Sequence, residues 1–227
     1  MTRRTCFLSF LLAALSAFLN AEQLAASTYK GRQLAGVMSP EGIAWLERDT
    51  REQEERLSLL IQALDLKAGQ QVADLGAGSG TITRLMAPKV LPGGQIWAIE
   101  IQDAMMESLE TLKRNERLAH LHIVKGTPSD PRLPPQSIDL ILMVDVYHEF
   151  QDPESMLRAM SRALKPGGRI ALVEYRAEDP KVPIDPSHKM SLKQIRHEFQ
   201  RPDLGLKVKR IDSRLPRQHL VFIERTQ

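Results

Sequence analysis

A chain of 227 residues with 42% apolar and 26% charged side chains has room for one α/β domain and a short preamble, whereas two full domains would be crowded. The formal net charge of +3 includes Arg3 and Arg4, so the remainder is close to neutral and lacks the dense basic stripe of a nucleic-acid binder. The single cysteine, Cys6, lies ahead of the domain, which excludes a disulfide framework, a thiolate metal site and a cysteine nucleophile in the body.

At the N-terminus, Arg3 and Arg4 precede an apolar run from Cys6 to Leu19, then small and polar residues through Ala21, Ala25 and Ala26. This order is that of a secretory signal peptide over residues 1–26, and the run falls short of the roughly 20 residues that span a bilayer. Thr2-Arg3-Arg4-Thr5 hints at twin-arginine export, and no lipobox cysteine follows the run. The expectation is a periplasmic or secreted protein with no membrane span after signal removal. A retained membrane anchor and a cytoplasmic location remain the alternatives. Residues 27–50, with Gly31, Gly36, Pro40 and Gly42, are predicted to wrap over a domain of residues 51–227.

From Asp49 or Thr50 an amphipathic helix is predicted, with Leu57, Leu60, Ile61 and Leu64 at helical spacing and Lys67-Ala68-Gly69 ending it. Strands and helices then alternate: strand 71–75, helix 81–90, strand 95–101, helix 104–117, strand 121–124 and the apolar strand 138–144. A helix over 153–164 stops at Lys165-Pro166-Gly167-Gly168, before a strand at 169–174, a helix at 191–200 and closing strands at 206–211 and 219–224. Such alternation demands a mainly parallel sheet with helices on both faces, and the last two strands must pair antiparallel. The expected fold is a Rossmann-like, doubly wound α/β domain with a seven-stranded, mainly parallel sheet and an antiparallel C-terminal hairpin.

The strongest local signal is Asp74-Leu75-Gly76-Ala77-Gly78-Ser79-Gly80, between the first strand and the next helix. Glycines there let the backbone turn sharply and approach a ligand closely. Glu100, ending the second strand, is placed to accept two ribose hydroxyls, which suits any nucleoside cofactor. This Asp-x-Gly-x-Gly-x-Gly loop resembles motif I of the class I S-adenosylmethionine-dependent methyltransferases. The resemblance extends over residues 55–225: Ile138 to Asp145 is similar to motif IV, and Lys165 to Arg169 to the family's post-helix turn. It implies S-adenosylmethionine as cofactor, contacted by Asp74, Gly76, Ala77, Gly78, Gly80, Glu100, Ile101 and Asp145. Thr127 stands where the family commonly has an acid, and Asp130 is placed to reach back to the adenine.

Ligands in open α/β sheets gather at the carboxyl ends of the strands. That rule puts Asp145, Tyr147, His148 and Glu149 at the site mouth, Asp145 to hold the cofactor or orient an acceptor and His148 as a candidate general base. Tyr175 and Arg176, leaving the fifth strand, and His188, in a proline-rich loop that is a candidate lid, are candidates for the acceptor pocket. His148, Glu149, His188 and His219 are scattered along the chain, and no metal site is expected. The resemblance is to small-molecule methyltransferases, including those of quinone biosynthesis and exported bacterial relatives, so a small-molecule acceptor is implied. A nicotinamide-dependent oxidoreductase and a non-catalytic S-adenosylmethionine-binding module are the rival readings. The third glycine falls one residue early for the dinucleotide fingerprint Gly-x-Gly-x-x-Gly.

Overall fold

A computed structural model describes residues 28–226, so the expected signal segment lies outside the described residues. Among the described residues, those up to Leu34 and those from Ala35 onward fall into two separate units. In the first, two-residue strands Thr28–Tyr29 and Arg32–Gln33 pair antiparallel across Lys30 and Gly31, whose φ values of 48° and 82° suit a tight hairpin turn.

The second unit opens with three short helices, α1 (Ile43–Leu46), α2 (Arg51–Glu55) and α3 (Leu57–Leu64). The single helix expected here breaks at Arg56, which adopts φ 56°. The break lets Glu55 point inward, where Arg51 Nε donates to it at 2.8 Å and the Tyr175 hydroxyl at 2.7 Å.

Alternation follows as expected: β1 (Gln71–Leu75), α4 (Thr81–Met86), β2 (Gln95–Glu100), α5 (Asp103–Asn115), β3 (Leu121–Lys125), β4 (Ile138–Val144), α6 (Pro153–Ala163), β5 (Leu164–Arg176), β6 (Lys189–Met190), α7 (Leu192–Phe199), β7 (Leu206–Asp212) and β8 (Gln218–Arg225). Helix α4 ends earlier than the predicted residue 90 because Pro88 lacks an N–H to donate, and Ala87–Lys89 tighten into a 3-10 turn. Strand order is β3-β2-β1-β4-β5-β8-β7, with β8 antiparallel to both neighbours and the other links of this run parallel. The sheet has eight strands rather than the expected seven, because Lys189–Met190 adds a parallel stub beside Tyr175 and Arg176.

Successive side chains of a strand point to opposite faces, and the core divides accordingly. Val72, Ile96, Leu140, Leu142, Val173 and Phe222 pack with Leu60 and Leu64 of α3, Met86 of α4 and Leu109 of α5. Ala73, Ile141, Met143, Ile170, Leu172 and Ile223 pack with Leu157 and Met160 of α6 and with Ile195 and Phe199 of α7. Each large aliphatic side chain so buried contributes about 1.5–3 kcal/mol. Helix α6 starts where Asp152 accepts the Ser155 N–H at 3.1 Å and Pro153 presets the first turn, and α7 starts where Ser191 accepts the Gln194 N–H at 3.1 Å. The carboxyl ends of β1, β2, β4 and β5 thereby come together on one edge of the sheet. Among the described residues, no helix is long and apolar enough to cross a membrane.

Candidate active site

Between β1 and α4 the chain passes through Gly76, Gly78 and Gly80 with φ values of 78°, 55° and 90°, all left-handed. A Cβ on Gly76 would lie 2.5 Å from Val146 Cγ2, and one on Gly80 2.6 Å from Leu112 Cδ2. Gly76 and Gly78 border a cleft, whereas Gly80 lies against α5. The loop is tied to β2 by the Gly76 and Ala77 N–H groups, which donate to the Ile99 carbonyl at 2.9 and 3.0 Å. Glu100 completes the tie. One carboxylate oxygen accepts the Gly78 N–H at 3.0 Å, and the other accepts those of Ile101 and Gln102 at 2.7 and 3.0 Å. An ionised carboxylate has about four acceptor sites, so capacity remains toward the cleft.

The cleft is walled by Leu75, Ile99, Ile101, Met105, Pro128, Val144 and Phe150, with Val37, Met38 and Leu46 contributed by the segment ahead of α2. Of the expected cofactor residues, Gly76, Gly78, Glu100, Ile101, Thr127 and Asp145 line it. Asp74 and Ala77 do not. They face a small adjoining cavity beneath the loop, with Arg51 and Thr81. Asp74 takes the Thr83 hydroxyl at 2.5 Å, and burial pushes its carboxyl up to about 6. Asp74 therefore braces the loop from below. Asp130 also departs from expectation. Its backbone N–H donates to the Thr127 hydroxyl at 2.9 Å, while its carboxylate turns outward to take the Arg132 N–H at 2.7 Å. Thr127 alone of that pair reaches the cleft.

A second cavity is lined by Met38, Trp45, Asp145, His148, Glu149, Tyr175, Ile184 and His188, so Met38, Asp145 and Glu149 border both spaces. Asp145 stands directly after β4 at φ 51°, its N–H donating to the Val173 carbonyl at 2.9 Å. Gln218 Nε2 donates to its Oδ2 at 2.6 Å, and its Oδ1 is buried without a partner among the described residues. Burial, then the charges of Glu55 and Glu174, hold this carboxyl well above the ordinary aspartate range. Glu149 is pushed up to about 7, chiefly by burial.

His148 is only 2% exposed, its Nδ1 lying 2.6 Å from Glu174 and its Nε2 3.0 Å from His188 Nδ1. The fold thus brings His148, Glu149 and His188 together although the sequence scatters them, while His219 pairs with Glu178 at 2.9 Å. Tyr175 walls the cavity while its hydroxyl is committed to Glu55. Two expected site residues lie elsewhere. Tyr147 is fully buried, packs its ring at a tilt against Phe199 and donates to Glu198 at 2.7 Å, because the 3-10 turn that aims His148 at the cavity turns its neighbour into the core. Arg176 donates to the carbonyls of Ser213, Leu215 and Pro216, tying down the turn between β7 and β8. Sequence reasoning missed Met38, Trp45, Glu55 and Gln218. No local motif marks them, although an isolated Gln opening a buried strand was the available signal for Gln218.

An aminoacyl nucleoside fits these residues. The two glycines border the cleft without side chains, Glu100 ends β2 with acceptor capacity to spare, and the buried Asp145 Oδ1 lacks a partner among the described residues. Comparison with known proteins agrees. Residues 73–172 match the family model described as a methyltransferase domain. The ubiquinone/menaquinone biosynthesis C-methyltransferase of Vibrio campbellii is 29% identical over 51% of this chain and 45% of its own length. The uncharacterized methyltransferase YcgJ of Bacillus subtilis is 28% identical over 56% of this chain and 49% of its own length. The chain thus spans about half the length of these curated relatives. Among solved structures, a SAM-dependent methyltransferase from Aquifex aeolicus superimposes with a TM-score of 0.77 at 22% identity, over 84% of this chain and 100% of that one. Residues 73–172 thus resemble a methyltransferase domain, and the fold built around them is the Rossmann-like fold of the solved methyltransferase structure.

Proposed function

We propose that the protein transfers a methyl group from S-adenosylmethionine in the first cleft to a small-molecule acceptor in the second cavity. The observation that carries this reading is the meeting of the two spaces at Asp145, whose Oδ1 is buried and unpartnered. The cofactor supplies a methyl group already activated on a sulfonium. The chain has to hold donor and acceptor in line, and such positioning is a large part of catalysis. Gly76 and Gly78 give close backbone approach, Glu100 takes hydroxyls, Ile101 and Met105 give apolar walls, and Asp145 accepts from a cation or orients the acceptor. Met38, Trp45 and Ile184 make the acceptor side largely apolar, which suits a small aromatic or apolar compound. The name of the Vibrio relative, a quinone-biosynthesis C-methyltransferase, is in keeping with that.

Calorimetric titration with S-adenosylmethionine, S-adenosylhomocysteine and NADH tests the reading. Micromolar binding of the first two alone is expected, and preference for NADH would overturn it. We propose further that residues 1–26 direct export, on the strength of Arg3 and Arg4 ahead of the apolar run. Cell fractionation should find a shortened chain outside the cytosol, and full-length protein confined to the cytosol would refute this.

A further inference from the structure

On the acceptor side, three electron-pair donors converge without a hydrogen bond that uses all of them. His148 Nε2 lies 3.0 Å from His188 Nδ1, and Glu149 Oε1 lies 3.9 Å from the former and 4.0 Å from the latter. The two longer separations are too wide for hydrogen bonds. They are suited to ligand atoms sharing a centre: in the plane of the three, the equidistant point lies about 2.1 Å from each, within the bond lengths of zinc to imidazole and carboxylate. All three residues line the same cavity.

We propose that His148, Glu149 and His188 bind a divalent transition-metal ion of the zinc class, open to the acceptor cavity. Two features besides the spacing carry this. The first is Glu174, fully buried at the end of β5, which lies 2.6 Å from His148 Nδ1. A carboxylate there fixes the proton on Nδ1 and turns the lone pair of Nε2 toward the cluster, the arrangement that supports metal-bound histidines. The second is the seating of His188. Its 3-10 turn begins at Pro186 and is capped by Asp185, which accepts the Ser187 N–H at 2.8 Å. The backbone that carries the ring is therefore set by a capped turn.

Two imidazoles and one carboxylate favour zinc and its neighbours over magnesium or calcium, which prefer oxygen ligands. Three protein ligands leave a fourth position, the mark of a catalytic site. The placing of that position on the acceptor side rests on the functional reading above, whereas metal binding does not. An acceptor hydroxyl or thiol entering it would lose its proton to water more readily. The freed lone pair forms the bond to the methyl carbon, and the carbon–sulfur bond breaks with its electron pair remaining on the donor's sulfur. The metal thereby replaces His148 as the group that activates the acceptor.

The test uses the full, untagged chain stripped with a chelator and titrated with Zn²⁺ against a chromophoric competitor. One equivalent should bind, excess Mg²⁺ should not displace it, and Co²⁺ in its place should give the intense visible bands of a low-coordinate site. His188→Ala should weaken zinc binding at least a hundredfold, and Glu174→Gln about tenfold. Arg176→Ala, remote from the cluster, should leave it unchanged, and circular dichroism should show every variant folded. Binding well below one equivalent, full displacement by Mg²⁺, or wild-type affinity in His188→Ala would overturn the proposal. The stripped protein is titrated with S-adenosylmethionine in parallel. Cofactor binding without zinc binding would sink the metal site and leave the donor reading standing. Zinc binding without cofactor binding would do the reverse.

Discussion

The two spaces proposed to hold donor and acceptor share Met38, Asp145 and Glu149 yet are built on different principles. The donor cleft is largely a backbone device. Its shape comes from left-handed glycines in one contiguous loop, and its rigidity from N–H groups converging on the Ile99 carbonyl and the Glu100 carboxylate. The acceptor cavity is a side-chain device, assembled from Trp45, the turn after β4, the end of β5 and the loop carrying His188. Behind it Glu55, Arg51 and Tyr175 form a buried charged network, and Glu174 stands behind His148. A backbone device tolerates little change and serves one ligand. A side-chain device can be retuned residue by residue, which is how one donor site can serve many acceptors.

The sharpest way to break this contrast is at Glu100. Glu100→Ala removes the hydroxyl acceptor and strands three backbone N–H groups, those of Gly78, Ile101 and Gln102. Affinity for S-adenosylmethionine should fall more than a hundredfold, and stability by about 2–4 kcal/mol, measured by calorimetry and urea denaturation. His188→Ala, on the acceptor side, should leave cofactor affinity within about twofold, since its ring hydrogen-bonds to His148, which does not line the donor cleft. If the two variants lost cofactor affinity equally, the two spaces would be one site and the comparison would collapse.

A medium effect is expected from Asp74, which braces the loop without facing the cleft. Burial raises its carboxyl from 3.8 to about 6, so the folded state holds this proton more tightly than the unfolded chain. Stability from this group is fully present below about pH 4 and is lost as the pH rises through about 6, a total of about 3 kcal/mol. Asp74→Asn lacks the titration. Its stability relative to wild type should therefore rise by about that amount between pH 4 and pH 7, read from denaturation midpoints across the range. Carboxylates of opposite shift, such as Asp212 at about 2, are common to both proteins and cancel in the difference. A difference that stays flat with pH would mean that Asp74 is solvated and free to meet the cofactor directly.

The same contrast explains what the sequence revealed. Strand and helix order was readable because short, continuous apolar runs alternate with stretches whose apolar residues recur at helical spacing, and a core on both faces of the sheet follows from it. The donor loop was readable because glycine spacing is local. Gln218 and Glu55 were not, since what brings them to Asp145 and Tyr175 is the register of β8 on β5 and the break at Arg56. The clustering of His188 with His148, 40 residues apart, likewise depends on the path of a loop whose sequence shows only prolines and turn formers. Tyr147 and Arg176 were misplaced for a related reason. The rule that ligands gather at strand ends locates a neighbourhood but does not say which neighbouring side chain turns inward.

Tyr147 offers the smallest and most discriminating effect. It lies between Val146, at the donor cleft, and His148, at the acceptor cavity, yet its own ring packs on Phe150 and Phe199. Tyr147→Phe keeps that packing and removes one hydrogen bond to Glu198, which retains the Gln194 side-chain N–H at 2.8 Å. The loss should be about 1–2 kcal/mol in urea denaturation, with S-adenosylmethionine affinity unchanged. Were Tyr147 a site residue, the signs would invert: the variant would keep its stability and lose affinity or turnover. Because one atom is deleted from a fixed ring, a change in cofactor binding would have no packing explanation, and it would place the Tyr147 hydroxyl back at the chemistry.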